Sequence, residues 1–304
     1  MGKYQHKISF VVATKDRPQE MLSLLKCLET QSRRPDEVII VDGGNNSVPE
    51  NFVQSIKIPV KYIKFFPPSA ARQRNAGLTF ISSEIDLIGF LDDDIILEHT
   101  ALERMLSFWE KASEDIVGAS FNLVNHPSLA ASNLKYSCLA EKLGIYNKKA
   151  GRVLRSGFQT MIGTADRTME IQWLPTGAAV WRRTVFDTQK FDEWFAAYSY
   201  LEDLEFSYRA GKSHRLAVVA DARYFHYPAS GGRVSSFSFG KREVANRLYF
   251  VRKHTDLSIL RCIFALGLRM LMSFYLFAKK RDAKYLSRVL GNIGGFKQAF
   301  LGKG

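Results

Sequence analysis

The sequence predicts an α/β fold with a mainly parallel sheet, followed by a basic helical tail. In the first third of the chain, short apolar runs alternate with helical patterns, which is typical of βαβ units. Acidic segments follow three of these runs, at Asp16, at Asp42 and at residues 92–94. Residues 241–304 contain 14 Lys and Arg against 3 Asp and Glu, and so contribute +11 to the chain's net charge of +13.

The composition excludes several classes of protein. With 46% hydrophobic and 24% charged residues among 304, the chain has enough apolar surface to fold, which excludes intrinsic disorder. The three cysteines, Cys27, Cys138 and Cys262, lie far apart and fit neither a disulfide framework nor a metal spacing. The short polar start, residues 1–7, does not resemble a signal peptide, and with the free thiols it predicts a cytoplasmic protein.

The elements are predicted in order from their residue patterns. A first strand over residues 8–13 ends at a polar run, and Pro18 suits the first turn of the helix that follows. Further helices are expected over residues 69–81 and 203–210, the second ended by Gly211. The other strands are expected at residues 38–41, 60–63, 87–91, 116–121, 178–181 and 216–220.

The acidic segments should meet at one edge of the sheet, because ligands of such sheets bind beyond the carboxyl ends of the strands. The sequence has neither the glycine fingerprint of dinucleotide-binding folds nor a P-loop. Three adjacent aspartates, Asp92, Asp93 and Asp94, repel one another unless a cation is present, and carboxylate oxygens suit Mg²⁺ or Mn²⁺. The alternative is a solvated acidic turn that caps a helix starting near His99 or Thr100.

These aspartates and the segments around them resemble the inverting family 2 glycosyltransferases of the GT-A fold. The resemblance spans residues 8 to about 254 and implies a Rossmann-like nucleotide-binding mixed sheet flanked by helices. It assigns residues 1–240 to the catalytic domain and leaves residues 241–304 as a helical appendage. Seven segments match in the family's order: residues 11–18, 37–44, 71–77, 90–94, 173–178, 191–193 with 201–209, and 224–226.

The resemblance implies that Asp203 is the catalytic base, which takes the acceptor's hydroxyl proton, and that Glu202 holds its geometry or binds the acceptor. From the residues alone, both carboxylates could equally be an ordinary helix N-terminus. The resemblance also implies a Mn²⁺ or Mg²⁺ ion on Asp94, with Asp92 on the metal through water or on the ribose, and His226 as a second ligand. A lone histidine before a Tyr-Pro pair is otherwise a core or turn residue.

The resemblance places the remaining site residues around the nucleoside-diphosphate sugar. Asp42 is expected to contact the ribose or the base. Arg74 is expected to lie near the diphosphate or to order the loop of Asp42, and Arg72 is the alternative residue for this role. Trp173 and Gly177 are expected beside the sugars. The donor-binding set as a whole is Thr14, Asp16, Arg17, Asp42, Arg74, Asn75, Asp92 and Asp93.

The sequence departs from the family at two positions that touch the nucleobase. Lys15 stands where the family often has an aromatic or other base-packing residue, and Gly43 stands where it often has a second acid. A UDP-sugar is favoured as the donor, and dTDP- and GDP-sugars stay open.

The tail contains an apolar run over residues 259–278 that is interrupted by Arg261 and Arg269. Each arginine would cost roughly 2.5–3.5 kcal/mol at the centre of a bilayer. We therefore expect a helix that lies in the plane of an anionic membrane surface, on the cytoplasmic face of the cell membrane. The alternatives are that this helix spans the membrane, or that it packs on the catalytic domain or on a second subunit in a homodimer.

We therefore predict an inverting, metal-dependent glycosyltransferase that acts on a lipid-linked saccharide of a bacterial surface polysaccharide. A sugar nucleotidylyltransferase would need a glycine-rich phosphate loop after the first strand, and residues 13–17 contain no glycine. Nucleic-acid binding is not expected, because the aromatic residues of the tail lie in an apolar helix instead of alternating with exposed basic groups. A non-catalytic scaffold is the remaining alternative, against which the intact aspartates argue.

Overall fold

The computed structural model describes residues 5–125, 141, 147–195, 199–229 and 234–301. Contacts divide the chain into two compact units: residues 1–129 with 162–232, and residues 130–161 with 233–304. The boundary predicted at residue 240 differs from this division in two respects. The C-terminal part of the second unit begins at residue 233, and this unit also includes residues 130–161.

The first unit consists of a nine-stranded sheet and six helices in its described residues. The helices are α1 (Pro18–Glu29), α2 (Glu50–Ser55), α3 (Ala70–Leu78), α4 (Ala101–Trp109), α5 (Val185–Thr188) and α6 (Glu202–Ala210). The strands are β1 (Ile8–Thr14), β2 (Glu37–Asp42), β3 (Val60–Lys64), β4 (Leu87–Leu91), β5 (Ile95–Leu97), β6 (Ile116–Leu123), β7 (Met169–Ile171), β8 (Ala178–Arg182) and β9 (Arg215–His226).

The sheet is parallel in its first half and mixed in its second. The strand order is β3-β2-β1-β4-β8-β6-β9-β5, and β7 pairs with β9 outside this path. Strands β1 to β4 are parallel, β8 is antiparallel to β4 and β6, and β9 runs parallel to β6. The carboxyl ends of β1, β2, β4 and β9 therefore meet the amino end of β8 at one edge. The predicted mixed α/β sheet with flanking helices is confirmed.

Apolar side chains cover both faces of this sheet. Phe10, Val12 and Ile40 point into one core, while Val11 and Ile39 point into the other, and all five are fully buried. This alternation follows from the two-residue period of a strand. Because burial of each such side chain contributes about 1.5–3 kcal/mol, the central strands are held firmly and fix the loops at their ends.

The described residues of the second unit include the helices α7 (Ser236–Lys253), α8 (Ile259–Lys280) and α9 (Ala283–Leu301). Glycines allow α7 and α9 to pack closely. A Cβ added at Gly240 would lie 2.3 Å from the carbonyl oxygen of Arg288, and one added at Gly291 would lie 2.1 Å from that of Phe237. Gly240 and Gly291 are therefore packing positions between these two helices. Among the described residues, α8 is the helix whose length and hydropathy would allow it to cross a bilayer.

Candidate active site

The edge of the sheet that gathers the strand ends brings the predicted site residues together. Thr14 ends β1, Asp42 ends β2, Asp92 follows β4, and His226 ends β9. Gly177 precedes β8, and its carbonyl oxygen accepts a hydrogen bond of 2.8 Å from the backbone N–H of Asp92. The convergence expected from the sequence is therefore observed.

Asp93, the middle aspartate, is buried and holds two loops together. Its carboxylate accepts hydrogen bonds of 2.6 Å from the Thr14 hydroxyl and 2.8 Å from the Arg17 guanidinium. Burial raises the pKa of Asp93 to about 6, against the opposing effect of these two donors. Thr14, Arg17 and Asp93 thus fix the loop after β1 against the loop after β4, and a direct contact of these residues with the nucleotide stays a prediction.

Asp94 pairs with the late histidine. Its Oδ1 lies 3.1 Å from Nε2 of His226, and its Oδ2 accepts a hydrogen bond of 3.1 Å from the backbone N–H of Ala229. Burial alone would raise the pKa of Asp94, but the bonds from His226 and Ala229 outweigh it and lower the pKa. One carboxylate and one imidazole nitrogen side by side are suitable ligands for a divalent cation.

The protein supplies only part of a coordination shell at this point. Within the described parts of the chain, no group of three His, Cys, Asp or Glu side chains is placed to hold a metal ion. Asp94 and His226 would leave most positions to other ligands, as in sites where Mg²⁺ is held by one or two carboxylates and by substrate phosphates. The residues therefore fit a cation that binds together with a diphosphate, and the predicted metal ligation stays a prediction.

Asp92 is the half-exposed aspartate of the three. Its Oδ1 lies 3.3 Å from the guanidinium of Arg74, whose other nitrogen lies 2.8 Å from a carboxylate oxygen of Glu202. A Cβ added at Gly177 would lie 2.3 Å from Oδ2 of Asp92, so residue 177 must be glycine for this carboxylate to keep its place. Arg74 therefore connects the aspartate loop to α6 instead of ordering the loop of Asp42.

The predicted catalytic carboxylates begin α6. Leu201, just before the helix, has a φ of 77°, a left-handed conformation that is costly for a branched residue and frequent at functional sites. Glu202 is buried against Arg74, and Asp203 is half-buried and accepts a hydrogen bond of 2.7 Å from the backbone N–H of Leu204. Burial, and then the neighbouring charge of Glu202, raise the pKa of Asp203 to about 7.

Asp42 is fully occupied by protein groups. It is 1% exposed, and its carboxylate accepts hydrogen bonds from the Tyr62 hydroxyl and, at 2.7 Å each, from Lys64 and from the backbone N–H of Gly44. Burial, followed by the hydrogen bond to Asp42, raises the pKa of Tyr62 to about 12. In this structure Asp42 positions its loop, and its predicted contact with the ribose or base stays a prediction.

The loop after β2 is shaped by two further contacts. Asp16, with a φ of 54°, accepts hydrogen bonds of 2.7 and 2.9 Å from the backbone N–H groups of Asn45 and Asn46, which lower its pKa. A Cβ added at Gly43 would lie 2.6 Å from Cβ of Pro68. The family's second acid at this position has no room here, which accounts for one of the two departures seen in the sequence.

Asn75 lies inside α3. Its side-chain amide donates to the carbonyl of Phe191 and accepts from the N–H of the same residue, at 2.9 Å each. Asn75 thus holds the loop that leads to Glu202, and direct contact with the donor stays a prediction.

Trp173 is 5% exposed, whereas Trp194, which sequence reasoning did not select, is 45% exposed.

Sequence reasoning also missed Gln73 and Lys64. The Gln73 amide donates 2.9 and 2.7 Å hydrogen bonds to the carbonyls of Thr14 and Val41, and so joins the ends of β1 and β2. Lys64 ends β3 beside the carboxylate of Asp42. Both residues were overlooked because a lone Gln or Lys carries no local signal. The position of Lys64 just after the strand predicted at residues 60–63 was an indication, whereas Gln73 lies inside α3 and offered none.

Comparison with known proteins identifies the family. The model of glycosyl transferase family 2 matches residues 9–165, which is just over half of the chain. The chain belongs to glycosyl transferase family 2. It is therefore a glycosyltransferase, and the family resemblance read from the sequence is confirmed.

A curated relative of this family 2 glycosyltransferase is the minor teichoic acid biosynthesis protein GgaA of Bacillus subtilis (strain 168). The two are 26% identical over 200 residues, which is 62% of this chain and 39% of GgaA. The chain thus spans about two fifths of the length of this relative.

Crystal structures of S. aureus TarS have the same fold as this family 2 enzyme. A structure of TarS residues 1–349 in complex with UDP-GlcNAc matches 96% of this chain and 81% of that chain, with a TM-score of 0.56 and 18% identity. The structure in complex with UDP gives the same score and identity over 97% of this chain. At this level of identity the likeness concerns the fold, and it confirms the GT-A architecture.

Proposed function

We propose that this glycosyltransferase transfers a sugar, with inversion, from a UDP-sugar to a hydroxyl of a bacterial wall polysaccharide of the teichoic acid type. The similarity to GgaA supports the class of acceptor, and the UDP-GlcNAc complex of a protein with the same fold supports the donor. A lipid-linked form of the acceptor would place the reaction at the cytoplasmic face of the cell membrane.

The single observation that supports this mechanism best is the environment of Asp203. An inverting transfer needs a base on the face of the sugar opposite the leaving nucleotide, and the base works best with a pKa near the operating pH. Burial and the charge of Glu202 bring the pKa of Asp203 to about 7. The ion pair of Glu202 with Arg74, which also contacts Asp92, holds this segment against the loop after β4.

The proposed reaction is one displacement at the anomeric carbon. The acceptor oxygen forms a bond to this carbon as the bond to the diphosphate oxygen breaks, and the acceptor's proton passes to Asp203. UDP leaves with the bonding electron pair. A Mn²⁺ or Mg²⁺ ion, held by Asp94 and His226 together with the diphosphate, would neutralise the charge that develops on the leaving group.

The test compares Asp203→Asn with wild type and with Asp187→Asn, a control at an exposed aspartate. UDP release from UDP-GlcNAc in the presence of wall polymer should fall by about 10²–10⁴-fold in Asp203→Asn only. UDP should still raise the melting temperature of this variant. Since the raised pKa of Asp203 disfavours its charged form in the folded state, Asp203→Asn should be at least as stable as wild type at pH 8.

Two results would contradict the proposal. Asp203→Asn with full transfer activity would exclude the assigned base, and a product with the donor's anomeric configuration, measured by NMR, would exclude inversion. The donor base is tested separately by thermal stabilisation with UDP, dTDP, GDP and CDP. A shift with another nucleotide and none with UDP would replace the donor.

A further inference from the structure

The helix α8 turns the side that a surface helix usually buries toward solvent. Its buried positions are Cys262, Ala265, Leu266 and Ser273, and the Arg269 side chain on the same side donates a hydrogen bond of 2.9 Å to Glu243 of α7. In a soluble protein the apolar stripe of a helix usually faces the core and the polar stripe faces water. The buried side of α8 instead carries Arg269 and small residues, with Leu266 as its large apolar member.

The opposite side of α8 presents large apolar side chains to solvent. Leu260, Phe264, Leu271, Phe274 and Tyr275 are 77%, 50%, 66%, 54% and 62% exposed, respectively, and together form what we call the outer face of α8. With about 100° per residue, they lie within an arc of about 100°. A continuous apolar surface of this kind marks an interaction site more often than an accident of folding.

An ion cluster fixes which way α8 faces. The Glu243 carboxylate is 1% exposed and accepts hydrogen bonds from Arg269, from Arg288 of α9 and from Asn292. Burial by itself would raise the pKa of Glu243, but the two arginines lower it, so the carboxylate is charged. Rotation of α8 would remove Arg269 from this buried charge, and the outer face is therefore held outward.

The charges around the outer face indicate its partner. Lys279 and Lys280 end α8 and Arg281 follows, and all three are exposed. The helix itself contains no acidic residue, and residues 241–304 have a net charge of +11. Apolar side chains with cations at their border complement the acyl chains and the headgroups of an anionic bilayer.

We propose that the outer face of α8 binds the surface of an anionic lipid bilayer, with the helix lying in the membrane plane. A spanning arrangement would place Arg269 in hydrocarbon or break its pair with Glu243. The inference depends only on the second unit and not on the proposed reaction. Vesicle binding and sugar transfer can thus fail independently.

The test measures co-sedimentation of the full chain with vesicles of phosphatidylcholine alone or with 30% phosphatidylglycerol, a mixture chosen at about the anionic content of a charged membrane. Wild type should bind the anionic vesicles only. Phe264→Gln with Leu271→Gln should weaken binding at least tenfold. Phe80→Gln with Met161→Gln, which removes two exposed apolar side chains elsewhere, should not.

The contribution of charge is tested by Lys279→Gln with Lys280→Gln. At about 1 kcal/mol for each lysine near the surface, binding should weaken about 30-fold for the pair. Lys57→Gln with Lys111→Gln, which removes two exposed lysines of the first unit, should have little effect. High salt should release the bound protein, as expected for a helix on the surface.

Three results would overturn the proposal. Equal binding of wild type and the outer-face double variant would exclude this surface. Resistance to extraction by high salt and alkaline carbonate would indicate a spanning helix. Self-association that is lost in the outer-face variant, without vesicle binding by wild type, would show that a second copy of the chain covers α8.

Discussion

Replacement of Arg74 by methionine is the most informative perturbation of the candidate site. Arg74 is 7% exposed and bridges two carboxylates, with 2.8 Å to Glu202 and 3.3 Å to Asp92. Methionine keeps much of the apolar volume but removes the positive charge and every donor. The buried Glu202 is then left without its cation, and Asp203 loses the charge that opposes its raised pKa.

The expected loss of stability follows from the burial of this pair. Removal of one partner from a buried ion pair costs about 3–5 kcal/mol, because the remaining charge is uncompensated. Glu202 is only 6% exposed, so the cost should lie in this range at pH 8. It should shrink as the pH falls, because protonation of Asp203, whose pKa is raised, removes one of the negative charges that Arg74 compensates in the folded state.

The activity of Arg74→Met should change in a specific direction. Arg74 lowers the pKa of Asp203, so its removal should raise that pKa and move the rising limb of the kcat profile to higher pH. Both quantities can be measured, by urea unfolding from pH 5 to 9 and by UDP release over the same range. Arg74→Lys keeps the charge but cannot bridge both carboxylates, and should be intermediate.

Lys61→Met is the matched control. Lys61 pairs at 3.2 Å with Glu37, a buried carboxylate at the start of β2 and therefore at the opposite end of the strand from the site. Glu37 also accepts hydrogen bonds from Ser82, and Lys61 is 47% exposed, so the loss of stability should be small. An equal pH shift in both variants, or none in Arg74→Met, would refute the assigned link between Arg74 and the base.

Two further predictions concern the aspartate loop. Gly177→Ala should weaken UDP binding, measured by calorimetry, at least tenfold with little loss of stability, because the added Cβ displaces the carboxylate of Asp92. The control is Gly267→Ala, whose added Cβ meets nothing within 4 Å and should leave UDP binding unchanged. EDTA should abolish thermal stabilisation by UDP and Mn²⁺ should restore it, with no restoration in Asp94→Ala or His226→Ala. Stabilisation that persists in EDTA would exclude the metal.

The central strands could be predicted from the sequence because they are buried on both faces, and residues 87–91 match β4 at both ends. Residues 60–63 match β3, an edge strand with no buried residue, to within one residue. Strands of three residues were missed, because so few residues do not show the alternation of apolar and polar side chains that indicates a strand. The three-residue strand β5 has an antiparallel partner only because β9 extends to His226, and β7 pairs with residues 216–218 near the start of β9. No local signal in residues 95–97 or 169–171 reveals either pairing.

The predicted site residues were brought together, but their contacts were only partly foreseen. Asp94 and His226 lie side by side, as the resemblance implies for two ligands of one ion, and the ligation itself stays a prediction. Asn75 and Asp42 were expected to contact the donor; both bind protein groups in this structure, and the contact with the donor stays a prediction. Their roles depend on which way a buried side chain turns, and this is decided by partners such as Lys64 that are distant in sequence.

The three adjacent aspartates show why such a motif does not assign its own roles. In sequence they are equivalent carboxylates, yet the structure gives each a different environment. Asp93 is buried against Thr14 and Arg17. Asp94 meets the end of β9, and only Asp92 keeps a half-exposed carboxylate. One sheet edge thus gives a single acidic run three different environments, with a buried tie at Asp93, an imidazole partner at Asp94 and a half-exposed carboxylate at Asp92.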